Sequence, residues 1–156
     1  MKINNFAVRR AVADDAAEVA GIWLRSFAAA LPSVRRAHTD DQVRSWFQNL
    51  VVPGQETWVA TVEGSAVGMM VLGDAELDQL YVDPAWQGRG IGGRLVRLAK
   101  KRRPAGMALW TFQVNEAAQC FYQRHGFVAA ERTNGHRNEE REPDVRYVWL
   151  PEQQEI

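Results

Sequence analysis

The amino-acid sequence predicts an α+β domain in which helices flank a mixed β-sheet. Helical and strand periodicities follow one another in the order β, two helices, three strands, helix, strand, helix, two strands. Two β-rich runs, Thr57 to Glu63 and Ala66 to Leu72, are joined by a short turn and predict an antiparallel hairpin. At 156 residues the chain is most simply a single domain that comprises residues 1–156.

The first half of the chain contains a strand, two helices and this hairpin. Phe6 to Arg10 predicts the first strand, and the helix after it carries its apolar residues at helical spacing: Val19, Ile22, Trp23 and Phe27. Pro32 ends that helix. Thr39 begins the next one with a capping box, in which the Gln42 side chain reaches back to the Thr39 amide. Pro53-Gly54 ends this second helix.

The second half begins with a strand from Ala75 to Val82. Strict alternation would put Glu76, Asp78, Leu80 and Val82 on one face and Leu77, Gln79 and Tyr81 on the other. A helix that begins near Ile91, a strand from Met107 to Phe112 and a helix capped by Asn115 come next. Two strands end the domain, Phe127 to Thr133 and Val145 to Leu150. The polar segment between them, Asn134 to Asp144, predicts a solvated or site-covering loop.

Charge and composition exclude several classes of function. Lys plus Arg and Asp plus Glu number 19 each, so no overall field attracts nucleic acid or an acidic membrane. One cysteine, Cys120, and three scattered histidines predict neither a disulfide nor a metal site. Because no signal sequence or long apolar run occurs, we expect a cytoplasmic protein.

A glycine-rich segment is the most informative part of the sequence. It reads Gln87-Gly88-Arg89-Gly90-Ile91-Gly92-Gly93 and lies between a predicted strand and a predicted helix. Glycines at such a junction allow main-chain N–H groups at the helix N-terminus to face an anion, and the helix dipole favours a phosphate. A tight connection without a ligand is the structural alternative. We expect a pyrophosphate group to bind here.

The same glycines also satisfy the dinucleotide-binding pattern G-x-G-x-x-G, but the surrounding sequence opposes that interpretation. Four residues, 83–86, separate the strand from the glycines. No acidic residue lies between Arg94 and Val114, where a ribose-binding carboxylate is expected. The preceding strands also form a hairpin rather than βαβ units. A Rossmann domain is therefore disfavoured.

Two blocks of the sequence resemble the GNAT superfamily of N-acetyltransferases. The segment from Gln87 to Gly92 is similar to the family's acetyl-CoA motif Q/R-x-x-G-x-G/A, and the strand before it ends in the typical Leu80-Tyr81-Val82-Asp83-Pro84. The run NEAAQCFYQRHGF from Asn115 to Phe127 is similar to the family's N-x-x-A-x-x-x-Y-x-x-x-G-F segment. With the matching element order, the resemblance extends over residues 6–150.

This resemblance implies a mostly antiparallel sheet in which two parallel central strands splay apart and leave a cleft for pantetheine. It also implies acetyl-CoA as the acyl donor, with no metal. The amides from Gly88 to Gly92 would then hold the pyrophosphate, while main-chain groups of Leu80 and Val82 pair with the pantetheine arm. The donor-binding residues implied in total are Leu80, Tyr81, Val82, Gln87, Gly88, Arg89, Gly90, Ile91, Gly92, Asn115 and Tyr122.

Three side chains are candidates for the chemistry. Acyl transfer requires a neutral amine, and Glu76 or Asp78 could accept its proton directly or through water, although both could equally be exposed strand carboxylates. Tyr122 matches the tyrosine that protonates the departing CoA thiolate in many members of the family, although a core aromatic would fit the same helical spacing. Cys120 is expected to be an inert buried residue, which favours direct transfer in a ternary complex.

The resemblance places the acceptor side in Trp23 to Val34 and Asn134 to Asp144. Phe27 would contribute an apolar wall, and the acidic residues of the second segment would either attract a cationic amine or form a solvated loop. The acceptor is a small-molecule amine or a protein amino group. The alternative to an enzyme is a non-catalytic acyl-CoA-binding module. Exposed strand edges and tryptophans are compatible with a homodimer.

Overall fold

The structure is a computed structural model that describes residues 5–152. The strands are β1 (Ala7–Arg10), β2 (Glu56–Val62), β3 (Ser65–Leu72), β4 (Leu77–Val82), β5 (Met107–Phe112), β6 (Val128–Thr133) and β7 (Asp144–Trp149). The helices are α1 (Ala16–Ala30), α2 (Asp40–Trp46), α3 (Val52–Gly54), α4 (Ile91–Arg102) and α5 (Glu116–Arg124). None of the helices in the described range is long and apolar enough to cross a membrane.

The strands form two antiparallel sheets, one in the order β1-β2-β3-β4 and the other in the order β5-β7-β6. The sheets meet where β4 and β5 begin, through a parallel bridge between Glu76 and Ala108. There the Ala108 amide donates a hydrogen bond of 3.0 Å to the Ala75 carbonyl. Beyond this bridge β4 and β5 do not pair, so a cleft opens between them. The predicted α+β class, with antiparallel strands flanked by helices, is confirmed.

Two hydrophobic cores cover the two faces of the first sheet. The α4 core contains, among others, Ile91, Leu95, Val96, Leu72, Met70, Leu109, Val145 and Tyr147. The α1 core contains, among others, Val19, Ile22, Trp23, Phe27, Val43, Phe47, Val59, Met69 and Val71. Because helices pack against both faces, β3 is buried over most of its length. The sheet therefore provides a rigid support for the cleft at its edge.

The predicted capping box at the start of α2 is confirmed. The Thr39 hydroxyl accepts a hydrogen bond of 3.2 Å from the Gln42 amide, and the Gln42 side chain accepts one of 2.9 Å from the Thr39 amide. After Trp46 the helix continues through a π-helical turn, Phe47–Val51, and a last α-helical turn that includes Pro53. The sequence predicted one regular helix and gave no indication of this wider turn.

A β-bulge at Asp78 corrects the predicted alternation of side chains in β4. The register skips Asp78, because the residues on either side of it pair with consecutive residues of β3: Leu77 with Leu72, and Gln79 with Val71. Leu77 consequently packs into the same α4 core as Leu80 and Val82. Tyr81 packs against the α1 core on the other face. The prediction that Leu77 faces away from Leu80 is therefore wrong.

An ionic cluster connects the end of α4 to the first sheet. The Glu56 carboxylate accepts hydrogen bonds from Arg102 at 2.7 Å, from Arg103 at 3.2 Å and from the Trp58 indole at 2.9 Å. Arg103 also donates to the carbonyl of Gly73 at 2.8 Å. These donors, Arg102 first, lower the pKa of Glu56 from 4.5 to about 2.

We expect Glu56→Gln to lower the free energy of unfolding at pH 7 by about 1–2 kcal/mol, because charged hydrogen bonds are replaced by neutral ones. The pKa of Glu56 is lower in the folded state, so its contribution is complete above pH 5 and is lost as the pH falls toward about 2. Urea denaturation of wild type and variant at several pH values measures this difference. Glu131→Gln, which removes an exposed pair with Arg137, is the control. A difference that does not change with pH would contradict the prediction.

Candidate active site

A cavity of about 220 Å³ lies in the cleft between β4 and β5. Residues of α1, β4, β5 and α5 line it, together with one residue from the loop before β7. The lining residues are Trp23, Phe27, Leu77, Asp78, Gln79, Leu80, Tyr81, Leu109, Trp110, Thr111, Phe112, Asn115, Ala118, Tyr122 and Glu140. Distant parts of the chain therefore meet at the place where the two sheets separate.

The open edge of β4 presents unpaired main-chain amides on the side away from β3. The Asp83 amide donates to the Val67 carbonyl at 2.8 Å. This bond determines which main-chain amides of β4 are directed toward β3. Because the direction of amides alternates along an antiparallel strand, the amides of Leu80 and Val82 point away from β3. The Val82 carbonyl on the same edge accepts a hydrogen bond of 3.3 Å from the Ser26 hydroxyl. Tyr81 pairs with β3 through its main chain and is one of the residues that line the cavity.

The glycine-rich segment forms the turn into α4 next to this edge. Gly88 and Gly90 have φ angles of +78° and +84°, and a Cβ on either would meet no atom within 4 Å. Glycine is needed here because L-residues with a side chain rarely adopt this left-handed conformation. Ile91 is buried in the α4 core, where a Cβ on Gly68 would come within 3.1 Å of its side chain. The helix therefore begins at a fixed position on the sheet.

The main-chain amides of this turn have no acceptor within the protein. Among residues 5–152, no main-chain or side-chain oxygen accepts a hydrogen bond from the amides of residues 87–93. The Gln87 side chain donates to the Val82 carbonyl at 3.3 Å, and Arg89 stacks on the Trp86 ring at 4.6 Å. Several main-chain donors without a protein acceptor thus occur together at the N-terminus of a twelve-residue helix. This arrangement fits a diphosphate group.

Tyr122 and Asn115 approach the cavity from α5. The Tyr122 side chain packs against Phe121 and Phe127, and the residue is only 8% exposed. Burial, with a smaller effect from Tyr81, raises the pKa of Tyr122 well above 10.0, so the phenol keeps its proton at neutral pH. Asn115 lines the cavity and also caps α5, because its side chain accepts a hydrogen bond of 3.1 Å from the Ala118 amide. The prediction of the cap is confirmed.

The two candidate carboxylates occupy different positions. Asp78 lines the cavity at the bulge, whereas Glu76 precedes β4 and is not part of the lining. Burial and the neighbouring Glu76 carboxylate raise the pKa of Asp78 above its ordinary 3.8. The Gln55 side chain lies 3.4 Å from one Asp78 oxygen. Of the two candidates, Asp78 is therefore the one that lines the cavity, and its pKa is raised.

Aromatic side chains form the wall of the cavity opposite α5. Trp23 stacks on Phe27 with ring centroids 5.1 Å apart and meets Tyr81 edge-on at 6.3 Å. The indole of Trp23 donates to the Gln79 side chain at 3.1 Å, which fixes the orientation of both groups. Gln79 and the end of β5, including Thr111, line the cavity but were not predicted from the sequence as site residues. Two polar residues between Leu77 and Leu80 were the available indication that alternation fails in β4.

The loop between β6 and β7 reaches the cavity through Glu140. The Asn138 side chain donates to the Glu142 carbonyl at 2.7 Å and to the Asp144 carboxylate at 3.1 Å, which holds the loop in shape. Asp144, which was considered as one of several acidic residues for attracting an amine, is buried and also accepts from Thr133. The loop therefore contributes one residue, Glu140, to the cavity, while most of its other residues are exposed. Cys120, expected to be buried, is instead exposed and outside the cavity lining.

Comparison with known proteins agrees with this geometry. A family model described as the acetyltransferase (GNAT) domain matches residues 53–129. The chain is 32% identical over 131 residues to the peptidyl-lysine N-acetyltransferase YjaB of Escherichia coli, which covers 81% of this chain and 85% of YjaB. The chain therefore belongs to the GNAT family of acetyltransferases.

Solved structures show the same fold. The solution structure of apo-form YjaB from Escherichia coli superimposes with a TM-score of 0.79 and 27% identity, covering 94% of this chain and 99% of that one. The PaiA N-acetyltransferase of Thermoplasma acidophilum, solved in complex with coenzyme A, gives a TM-score of 0.73 at 16% identity, covering 94% and 99%. The second likeness concerns the fold alone.

Proposed function

We propose that this protein transfers the acetyl group of acetyl-CoA to a primary amine by direct attack in a ternary complex. The observation that carries the proposal is the run of amides without a protein acceptor, residues 87–93, in the turn that follows the open edge of β4. A diphosphate in that turn would place an attached pantetheine chain along Leu80 and Val82, and its thioester near Tyr122. The walls of the cavity come from both halves of the chain, which supports one functional domain over residues 1–156.

Acetyl-CoA supplies an activated acyl group, because its thioester carbonyl is open to attack by an amine. The chain's own groups perform the proton transfers. Asp78 accepts a proton from the attacking amine, either directly or through a water molecule. The Leu80 amide, which faces the cleft, donates to the developing oxyanion. As the carbon–sulfur bond breaks, Tyr122 gives its proton to the sulfur, which leaves as the thiol.

A lysine side chain is the acceptor class that we propose. YjaB, a relative matched over most of its length, is named a peptidyl-lysine N-acetyltransferase. The aromatic residues Trp23 and Phe27 and the end of β5 line the cavity. Apolar walls of this kind suit an alkyl chain that ends in an amine.

Release of CoA thiol with a panel of amines tests the proposal. The panel contains lysine peptides, free polyamines and amino acids, with acetyl-CoA as the donor. We expect thiol release that depends on the amine, together with acetylated product in the mass spectrum. Acetyl-CoA binding measured by calorimetry, without thiol release for any amine, would instead indicate a non-catalytic acyl-CoA-binding module. Absence of binding would overturn the assignment of the glycine turn.

We expect Asp78→Asn to lower kcat/KM by about 10²-fold at pH 7, because general-base catalysis typically contributes 10²–10⁴ in rate. In the wild type, the raised pKa of Asp78 moves the acidic limb of the pH profile above the range of an ordinary aspartate. Glu76→Gln removes a negative neighbour, so it should lower the pKa of Asp78 and shift that limb to lower pH while turnover persists. A larger loss in Glu76→Gln than in Asp78→Asn would make Glu76 the base instead.

A further inference from the structure

We infer that the acceptor end of the cavity is an ammonium-binding subsite formed by the Glu140 carboxylate and the aromatic rings of Trp23 and Tyr81. Its ligand is the protonated amine of the acceptor before it loses its proton. The inference rests on the proposed acetyl transfer and adds how the acceptor is selected. Glu140 is therefore a specificity-determining residue, separate from the base at Asp78.

The charges around the cavity favour a cation. Two carboxylates, Asp78 and Glu140, line it, and no Lys, Arg or His side chain among the described residues does so. An anionic group entering the cavity would meet like charges without a compensating partner. A positively charged alkyl amine would gain a partner for its charge and an apolar wall for its carbons.

The aromatic wall adds a second attraction for a cation. Trp23 and Tyr81 meet edge-on, with ring centroids 6.3 Å apart, and both residues line the cavity. A ring face attracts an ammonium group through its quadrupole, and tryptophan does so most strongly. The hydrogen bond from the Trp23 indole to Gln79 holds this ring in place without using its face. The wall is thus organised before an acceptor binds.

Contacts of residues on both sides of Glu140 fix the position of its loop. Its neighbour Glu139 lies 2.5 Å from the His38 ring, which belongs to the segment between α1 and α2. On the other side, the amide of Glu142 donates to the Asn138 side chain at 3.2 Å. Burial, with a contribution from the charge of Glu140, raises the pKa of Tyr81 to about 12, so this carboxylate acts directly on the tyrosine. Glu140 and Tyr81 therefore line the same cavity.

These features define the class of acceptor chemically. An alkylammonium without a nearby negative charge, such as a lysine side chain within a peptide, satisfies both the carboxylate and the rings. A free α-amino acid carries a carboxylate next to its reactive amine, and no cationic side chain lines the cavity within residues 5–152 to receive it. We therefore expect lysine side chains to be preferred over α-amino groups of free amino acids.

The test compares Glu140→Gln with Glu63→Gln, which removes one charge at the exposed turn between β2 and β3. With an N-acetyl-lysine amide as acceptor, we expect Glu140→Gln to raise KM about 10-fold with little change in kcat, since a charged hydrogen bond is lost. With an alkoxyamine of equal length, which is neutral at pH 7, the two variants should have the same KM. An equal rise in KM with the charged and the neutral acceptor, or no rise with either, would contradict the proposed subsite.

A binding measurement separates this subsite from the transferase activity. Butyltrimethylammonium cannot be acetylated, and calorimetry reports its binding to the wild-type protein directly. Because this cation has no N–H group, its attraction to Glu140 is purely coulombic, and we expect its dissociation constant to be about 10-fold higher for Glu140→Gln and unchanged for Glu63→Gln. Binding of this cation without any thiol release would support the subsite and contradict the proposed transfer. Thiol release with equal cation binding in all three proteins would contradict the subsite alone.

Discussion

Replacement of Tyr122 with phenylalanine is expected to lower kcat by about 10²- to 10³-fold, because a general acid in the transition state typically contributes 10²–10⁴ in rate. The phenol is buried against the cleft and its raised pKa keeps it protonated at neutral pH, so it can donate to the departing sulfur. Affinity for acetyl-CoA should change little, since the proposed anchor of the donor lies at the glycine turn. Steady-state kinetics and calorimetry measure the two effects separately.

Tyr147→Phe is the matched control for this variant. Tyr147 is also buried, and its hydroxyl contacts the side chains of Gln119 and Gln123 on α5 without lining the cavity. We expect removal of this hydroxyl to lower the free energy of unfolding by about 1 kcal/mol and to leave kcat nearly unchanged. Turnover that is equal in Tyr122→Phe and wild type would remove Tyr122 from the mechanism and leave water as the proton source.

The second large effect is expected at the glycine turn. Gly90→Ala places a methyl group in the open space above the amides and disfavours a φ angle of +84°. A turn that relaxes away from this conformation loses two or more hydrogen bonds to a charged diphosphate, at about 1.5 kcal/mol each. We therefore expect the dissociation constant for CoA to rise on the order of 10²-fold. Calorimetric titration with CoA measures this change.

Gly64→Ala separates backbone strain from ligand binding. Gly64 has a φ angle of +82° and, like Gly90, no atom within 4 Å of an added Cβ, but it lies in the turn between β2 and β3. Both variants should lose similar stability, about 1–2 kcal/mol. Only Gly90→Ala should lose affinity for CoA. Equal affinities in the two variants would show that the turn does not bind the diphosphate.

Local sequence signals predicted the fold, the helix caps and the turn into α4 well. The capping box from Thr39 to Gln42, the cap at Asn115 and the glycines of the α4 turn each depend on neighbouring residues only. The GNAT resemblance also drew on two continuous blocks. Hydrogen bonds and backbone angles that involve residues close together in the chain can be predicted from sequence. The two caps and the glycine turn are of this kind.

For the acceptor side, the resemblance indicated two segments, Trp23 to Val34 and Asn134 to Asp144, but not which of their residues line the cavity, because tertiary contacts determine this. Trp23 follows the apolar spacing of α1, and only its contact with Gln79 across the fold shows that it also lines a cavity. The bulge at Asp78 reverses the expected alternation in β4. Glu140 occurs in a polar loop whose course depends on Asn138, so charge patterning alone could not distinguish it from its neighbours.

The separation of β4 from β5 affects how proteins of this kind diversify. One wall of the cleft presents main-chain groups, which any sequence with the same backbone reproduces. The other wall presents side chains, such as those of Trp23 and Glu140. If the donor binds to the main-chain wall as proposed, exchange of a few of these side chains would change the acceptor and leave donor binding unchanged. Descendants could thus acquire new targets through small genetic changes without rebuilding the scaffold.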